Sequence, residues 1–251
     1  MIDILPEIII TVLSLLFGSF VLSSAGFGIA LAASPLMLII LDPKTTVVVI
    51  NTVSLAVFVF MIVQNRSQVR FREMTFPIIF GMLGVPFGLL ILDFMSSVIL
   101  GIFISVSIIG LGIYVGFYRS HTFISSPSSF NVISFVVGAL LTSTGIGGPL
   151  MAIAAVSRNW ERDSLRGSLP LFYLVVEGTA VSGYIFSGMF TKEAAVLTIL
   201  GILPAFVGFV LATIVVKKVA EAQFRTYLLA VIISAGAVSY THLTLPTICS
   251  V

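Results

Sequence analysis

The chain has 251 residues, of which 59% are hydrophobic and only 9% are charged, and its formal net charge is +2. A soluble domain carries about a quarter charged residues, so this composition excludes an ordinary soluble fold and predicts a polytopic helical membrane protein. The alternating segments of a membrane β-barrel are absent, and basic residues confined to loops between apolar runs indicate no nucleic-acid partner.

Apolar segments follow one another along the chain and are separated by polar or charged residues. The longest polar gap, YRSHTFISSPSSF at 118–130, is predicted to be a cytoplasmic linker between a first repeat at 1–117 and a second repeat at 131–238. Several segments reach the length of about 18 or more residues that crosses a bilayer. The segments lie near 4–22, 27–41, 45–63, 75–92, 97–117, 131–143, 147–157, 168–188, 193–216 and 224–238.

Each half contains a glycine-rich break between two apolar segments, SSAGFGIALAASPLM at 23–37 and TSTGIGGPLM at 142–151. As helices, segments 131–143 and 147–157 would be about 20 and 17 Å long. The hydrocarbon core is about 30 Å thick, so these segments are predicted to be strongly tilted or re-entrant. The two glycine tips are then expected to approach each other near the midplane from opposite sides.

A near-constant spacing relates the two halves. Gly26 and Gly145 lie 119 residues apart, whereas the pairs Glu73 with Glu193, Gly81 with Gly201 and Gly88 with Gly208 lie 120 residues apart. This spacing predicts an internal duplication, which many secondary transporters show.

Basic residues predict how the chain is oriented in the membrane. All Lys and Arg residues except Lys44 and Lys192 lie in loops that alternate with the remaining loops. The positive-inside rule therefore places these basic loops in the cytoplasm and the N-terminus outside. The predicted fold is an all-α polytopic membrane protein with two inverted repeats, each a glycine-interrupted helical hairpin plus three transmembrane helices.

The glycine breaks are candidates to bind an anion. A broken helix exposes free N–H groups and the positive end of the helix dipole at the start of its second part, and glycine lets the backbone approach a ligand closely. The hydroxyl groups of Ser23, Ser24, Ser143 and Thr144 are expected to add donors. The alternative is that these small residues only allow close helix packing. The candidate substrate-binding residues are Ser24, Gly26, Phe27, Gly28, Asn51, Ser143, Thr144, Gly145, Gly147 and Gly148.

The stretches GFGIALAASPLMLIILDPKTTVVVINTVSL, GIGGPLMAIAAVSRNWERDSLRGSLPLFYLV, PFGLLI and LPAFVGFVLA resemble the TauE/SafE family of sulfite-exporter-like membrane transporters. The resemblance covers about residues 10–236. It implies transport of small sulfur-containing anions, such as sulfite, sulfonates or sulfoacetate, across the cytoplasmic (inner) membrane. Gly26, Phe27 and Gly28 fall on the first glycine motif of the family, and Gly145 and Gly147–Pro149 fall on the second. Pro149 departs from the further glycine that many relatives carry.

The residues at 239–251 differ from the rest of the chain. The stretch VSYTHLTLPTICSV is polar, has no counterpart in the other repeat and resembles an adapter-derived peptide. We interpret 239–251 as a non-native tail.

Glu177 is the acidic residue that lies deep in an apolar segment, where an ionisable group is costly and usually functional. A proton on this carboxyl would couple anion movement to protons; the alternative is a neutral, hydrogen-bonded packing group. Tyr173 and Tyr184 lie at helical spacing from Glu177 and share its face. Asn51 either lines the site or makes an interhelical hydrogen bond. Arg166 either recruits anions at the cytoplasmic edge or anchors its helix at the interface.

Other function classes fit the sequence less well. An intramembrane protease would need a histidine or a pair of aspartates within the apolar segments, and the aspartates fall at segment ends, so we predict no enzyme. No metal or cofactor motif is present. The alternatives to a secondary anion transporter are a passive anion channel and a non-transporting membrane scaffold. The expected partners are a small anion, the lipid bilayer and, through Glu177, protons; a homo-oligomer is left open.

Overall fold

The computed structural model of the protein describes residues 5–117, 126–158, 160 and 162–215. Within these residues all regular structure is helical, which confirms the all-α prediction. The predicted segment 224–238, the tail 239–251 and most of the predicted linker lie outside the described residues. The helices are α1 (Leu5–Ala25), α2 (Ile29–Met37), α3 (Pro43–Gln64), α4 (Phe71–Phe94), α5 (Ser97–Phe117), α6 (Pro127–Thr144), α7 (Gly148–Val156), α8 (Arg162–Phe186) and α9 (Lys192–Val215), with a short 3-10 turn at Arg66–Gln68.

Helices α1, α3, α4, α8 and α9 are each long and apolar enough to cross a membrane. Their outer faces carry large apolar side chains, such as Phe76, Phe87 and Leu203, which are more than half exposed in the isolated chain. Side chains of this kind are stable in contact with lipid tails. The protein is therefore a multi-pass helical membrane protein, as the composition predicts.

Helices α4, α6 and α8 begin at least four residues before their predicted apolar segments. Helix α8 begins at Arg162 instead of near residue 168, and α6 begins at Pro127, inside the predicted linker. The hydroxyl of Ser126 caps α6 by accepting the Ser129 N–H at 3.1 Å, and proline is favoured in a first helical turn. Hydropathy does not detect such a first turn, because the residues that cap a helix are polar.

Helices α2 and α7 are only nine residues long. Each is about 14 Å long and folds back on the helix before it. A Cβ atom placed on Gly18 of α1 would lie 3.0 Å from the Ala33 Cβ of α2, and the Ser134 hydroxyl of α6 lies 3.7 Å from the Met151 sulfur of α7. Each glycine break is therefore the turn of a helical hairpin with one long and one short arm.

The long arm of each hairpin packs along a helix of the other repeat. Helix α1 packs along α9, and α6 packs along α4. A Cβ atom on Gly208 would lie 2.1 Å from the Leu16 carbonyl oxygen, and one on Gly88 would lie 2.5 Å from the Ala139 carbonyl oxygen. Only glycine permits backbones to approach this closely. These two glycines, which the spacing of 120 residues pairs, therefore have packing roles.

Helices α3 and α8 cross the centre of the bundle in antiparallel directions. Ser54 of α3 contacts Glu177 of α8, and the rings of Phe58 and Tyr173 lie 5.4 Å apart. Helices α1, α3 and α4 of the first repeat correspond to α6, α8 and α9 of the second. Under this correspondence the α1–α9 contact matches the α6–α4 contact, and the α3–α9 contact matches the α8–α4 contact. Two repeats related by a two-fold axis would pack in this way. The inversion of these repeats across the membrane plane remains a prediction.

The loop residues collect at two ends of the bundle. Arg70 donates from its backbone N–H to Ser168 at 3.0 Å, and its guanidinium lies 5.4 Å from the Trp160 ring centroid. We call this the basic end. At the other end the Lys44 ammonium donates to the Asp93 carbonyl oxygen at 2.9 Å. The basic end is the one that the positive-inside rule predicts to be cytoplasmic.

Candidate functional site

The first break separates α1 from α2. Gly26 and Gly28 both have positive φ angles, 86° and 101°. The first helical hydrogen bond of α2 runs from the Ala32 N–H to the Gly28 carbonyl oxygen, at 3.2 Å. The N–H groups of residues 29–31 precede that bond and have no acceptor within the helix. Three backbone donors therefore converge at the start of α2.

The second break separates α6 from α7. Gly145 has a φ of 72° and ends α6 by donating its N–H to the Leu141 carbonyl oxygen at 2.8 Å. The first helical hydrogen bond of α7 runs from the Met151 N–H to the Gly147 carbonyl oxygen, at 3.3 Å. Pro149 lies in the first turn of α7 and has no N–H. The start of α7 therefore presents one donor fewer than the start of α2.

The two breaks lie against each other. A Cβ atom on Gly148 would lie 2.9 Å from the Phe27 Cβ, and one on Gly145 would lie 3.1 Å from the Ala30 Cβ and 3.2 Å from the Asn51 side-chain oxygen. Asn51 is near the middle of the 22-residue α3. The N-terminal ends of α2 and α7 thus meet near the middle of the bundle.

A small cleft lies where the breaks meet. Its free volume is about 10 Å³, about the space that one water molecule needs. The lining is apolar except for the backbone of the breaks, Tyr173 and the Glu177 carboxyl. The lining residues are Leu22, Phe27, Gly28, Ile29, Leu31, Phe58, Leu141, Gly145, Ile146, Gly148, Pro149, Tyr173 and Glu177.

One face of α8 supports the second break and carries the buried carboxyl. Tyr173 donates to the Gly148 carbonyl oxygen at 3.0 Å, and Tyr184 donates to the Thr142 carbonyl oxygen at 2.5 Å. Glu177 is 2% exposed and accepts a hydrogen bond from the Ser54 hydroxyl. Both tyrosines therefore share the Glu177 face, as their spacing predicts, and they fix the backbone on either side of the break.

Asn51 bridges three elements. Its amide nitrogen donates to the Leu141 carbonyl oxygen at 2.9 Å and to the Tyr184 hydroxyl at 2.9 Å. The side chain is 1% exposed, so both bonds are shielded from water. The amide therefore covers the negative, C-terminal end of α6 with hydrogen-bond donors.

Comparison with known proteins identifies the family of this chain. A family model described as sulfite exporter TauE/SafE matches residues 10–239. The chain belongs to the TauE/SafE family. No curated protein and no solved structure matches the chain. Family membership and the apolar helices together make this protein a membrane transporter.

The breaks of this TauE/SafE chain bring together part of the predicted site. Phe27, Gly28, Gly145, Gly148 and Glu177 line the central cleft. Gly147 flanks it, and a Cβ atom there would lie 2.9 Å from the Leu141 side chain. Asn51 reaches the second break by hydrogen bonds to α6 and α8 and does not line the cleft. Gly26 lies beside the cleft, and a Cβ atom there would meet no other atom within 4 Å.

Three of the four predicted hydroxyl donors, all except Ser23, point elsewhere. Ser24 donates to the Phe20 carbonyl oxygen at 2.7 Å, Ser143 donates to that of Ala139 at 2.8 Å, and Thr144 donates to that of Leu140 at 2.8 Å. Each hydroxyl has a single proton, which its own helix takes through the preceding turn. The expectation that Ser24, Ser143 and Thr144 donate to an anion therefore differs from the observed geometry, and the backbone N–H groups are the donors that remain.

Apart from Phe27, the apolar residues that line the central cleft are absent from the predicted site. Leu22, Phe58 and Leu141 lie one helical turn or more from the glycines and read as ordinary core residues. The Tyr173 hydroxyl was also missing from the predicted donors. Its position four residues before Glu177 was the available signal, because residues at that spacing share a helix face.

Proposed function

We propose that this transporter moves small sulfur-containing anions and binds them in the central cleft. The observation that supports this proposal is the contact between Gly148 and Phe27, where a Cβ on Gly148 would lie 2.9 Å from the Phe27 Cβ. That contact sets the N-terminal ends of two short helices against each other. Two positive dipole ends and their free N–H groups then share one space, which favours a negative charge there.

Side-chain donors cover the negative, C-terminal ends of α1 and α6. Arg166 donates to the Ser24 carbonyl oxygen in the last turn of α1 at 3.3 Å. Asn51 and Tyr184 cover the last turn of α6 at Leu141 and Thr142. The carbonyl groups beside the cleft are thus partly neutralised, so the N–H groups of α2 and α7 dominate the local field.

A cleft whose hydrogen-bond donors are backbone N–H groups also allows the anion to leave. No Lys or Arg is among the residues that line the central cleft. Apolar walls strengthen each N–H contact through their low dielectric, while the lack of a full positive charge keeps the anion from binding too tightly to leave. Glu177 is proposed to exchange a proton with the site as the anion moves, because it is the carboxyl that lines the cleft.

The size of the cleft implies motion during transport. A sulfur oxyanion is larger than the single water molecule that a free volume of about 10 Å³ admits. The tips of α2 and α7 must therefore separate before an anion enters. Rocking of repeats around a fixed midplane site is the usual route in transporters with broken helices.

Counterflow in proteoliposomes tests this function. Vesicles loaded with unlabelled sulfite should take up external radiolabelled sulfite transiently above its equilibrium level, because a carrier exchanges one anion for another. Sulfoacetate added inside in place of sulfite tests the wider class. A passive anion channel would show uptake without this overshoot, and a non-transporting scaffold would show no uptake above empty vesicles; either result would contradict the proposal.

A further inference from the structure

A second cavity lies at the basic end of the bundle, apart from the central cleft. Its free volume is about 110 Å³, which exceeds the space for one water molecule about tenfold. Its walls come from the ends of four helices. The lining includes Ser23 of α1, Gln64 at the end of α3, Asn65 just after it, Arg166 of α8, and Phe209 and Thr213 of α9. It shares no lining residue with the central cleft.

Polar and cationic groups line this cavity. Arg166, Gln64 and Asn65 are among the residues that line it. The Ser23 hydroxyl is buried at its oxygen and has no hydrogen-bond partner among the described residues. A buried hydroxyl without a partner costs free energy unless a ligand or water satisfies it. The cavity therefore offers donors to a ligand that fills it.

The cavity adjoins the first break. Ser23 precedes Ser24, whose carbonyl oxygen accepts the Arg166 hydrogen bond at 3.3 Å. The central cleft begins one residue earlier, at Leu22. A group bound beside Ser23 is thus separated from the central cleft by the last turn of α1.

We propose that this cavity is a second anion site, in which Arg166 and Ser23 bind the sulfonate or oxyanion headgroup of a substrate between the basic end and the central cleft. The inference rests on the proposed function, because a site beside the first break has a role in transport only if the central cleft carries anions. The guanidinium of Arg166 carries a full positive charge and five N–H donors, which suit the oxygens of such a headgroup. Phe209 and Met61 add apolar wall for a short organic stem.

Cysteine chemistry at Thr213 tests the site without transport. Thr213→Cys is made in a Cys249→Ser background, since Cys249 is the single cysteine of the chain. The purified protein is treated with sulfonatoethyl methanethiosulfonate, which carries a sulfonate, or with its trimethylammonium analogue. At each cysteine, the rate with the anionic reagent is divided by the rate with the cationic reagent. This ratio at Thr213→Cys is then divided by the ratio at Ser187→Cys, an exposed position just after the far end of α8. The normalised ratio should be about ten or more, because a cationic pocket concentrates anions.

Arg166 variants supply the matched controls. Arg166→Gln should reduce the normalised ratio to about one, and Arg166→Lys should keep most of it because the charge remains. Methanesulfonate should slow the modification of Thr213→Cys compared with chloride at the same ionic strength. This last measurement keeps Arg166 in place, so it decides the question even if Arg166→Gln does not fold.

An unchanged ratio in a folded Arg166→Gln protein, or no protection by methanesulfonate, would overturn the second site. Counterflow of sulfite reports on the central cleft separately. Cysteine modification that fails while counterflow succeeds rejects the second site alone, whereas the reverse pattern rejects the proposed transport function.

Discussion

Alanine at Gly28, compared with alanine at Gly26, separates a binding role from a backbone role. Both glycines have left-handed backbone angles, with φ of 101° and 86°. Alanine in this conformation costs about 1–2 kcal/mol because its Cβ approaches the following carbonyl oxygen. The two substitutions should therefore destabilise the fold by similar amounts.

The surroundings of the two positions differ. A Cβ on Gly26 would meet nothing within 4 Å, and the nearest atom to a Cβ on Gly28 is the Leu31 Cδ1 at 3.5 Å, so neither clashes. Only Gly28 lines the central cleft, whose free volume is about 10 Å³. A methyl group is similar in size to a water molecule, whose share of liquid volume is about 30 Å³. Alanine at Gly28 should therefore fill the space beside the free N–H groups of α2.

Thermal unfolding and sulfite counterflow measure the two effects separately. For a chain of this length, 1 kcal/mol shifts the unfolding midpoint by about 2–4 °C, so both variants should unfold about 2–8 °C below the parent protein. Counterflow should fall more than about tenfold in Gly28→Ala, because loss of an anion hydrogen bond costs about 1.5–3 kcal/mol. It should remain near the parent rate in Gly26→Ala. Equal transport in the two variants, or equal loss, would refute the reasoning that the start of α2 binds the anion.

Three further predictions follow from the site and the loops. Asn51→Ala should lower the free energy of unfolding by about 1–3 kcal/mol, because it removes the donors to Leu141 and Tyr184 at 2.9 Å; an unchanged unfolding midpoint would show that these bonds contribute nothing. Glu177→Gln should keep sulfite counterflow but lose uptake driven by a pH gradient, which for one proton per anion is tenfold accumulation for each pH unit; pH-driven accumulation that persists would assign Glu177 to packing. Cysteines at the exposed positions Ser67 and Ser96 should be labelled by a membrane-impermeant maleimide from the cytoplasm and from outside, respectively, and labelling of both cysteines from the same side would contradict the predicted topology.

The sequence predicts the positions of the two breaks well, because closely spaced glycines interrupt an apolar run at each of them. It also predicts the buried face of α8, since Tyr173, Glu177 and Tyr184 stand out against apolar neighbours. It does not predict the acceptors of the Ser24, Ser143 and Thr144 hydroxyls, because a hydroxyl in a helix can bond its own backbone or a ligand, and the sequence is the same in both cases.

Other features depend on tertiary structure that a single pattern does not contain. The Tyr173 hydroxyl bonds a carbonyl 25 residues away, and the cavity at the basic end takes its walls from four helices. Arg166 appears in the sequence only as one of several basic residues beside an apolar segment. Its position beside Ser23 and Ser24 follows from how α8 and the first hairpin pack.

The pairing of α1 with α9 also has a consequence for how the protein is made. The Ser19 hydroxyl of α1 donates to the Ala205 carbonyl oxygen, 186 residues later in the chain, at 2.6 Å. At about 5–20 residues per second, a ribosome needs about 10–40 seconds to synthesise the intervening residues. During that interval the face of α1 that packs on α9 has no protein partner and must rest against lipid or the insertion machinery. Premature dimerisation of that face, or its capture by another helix with small residues, is therefore an assembly error that the order of synthesis permits.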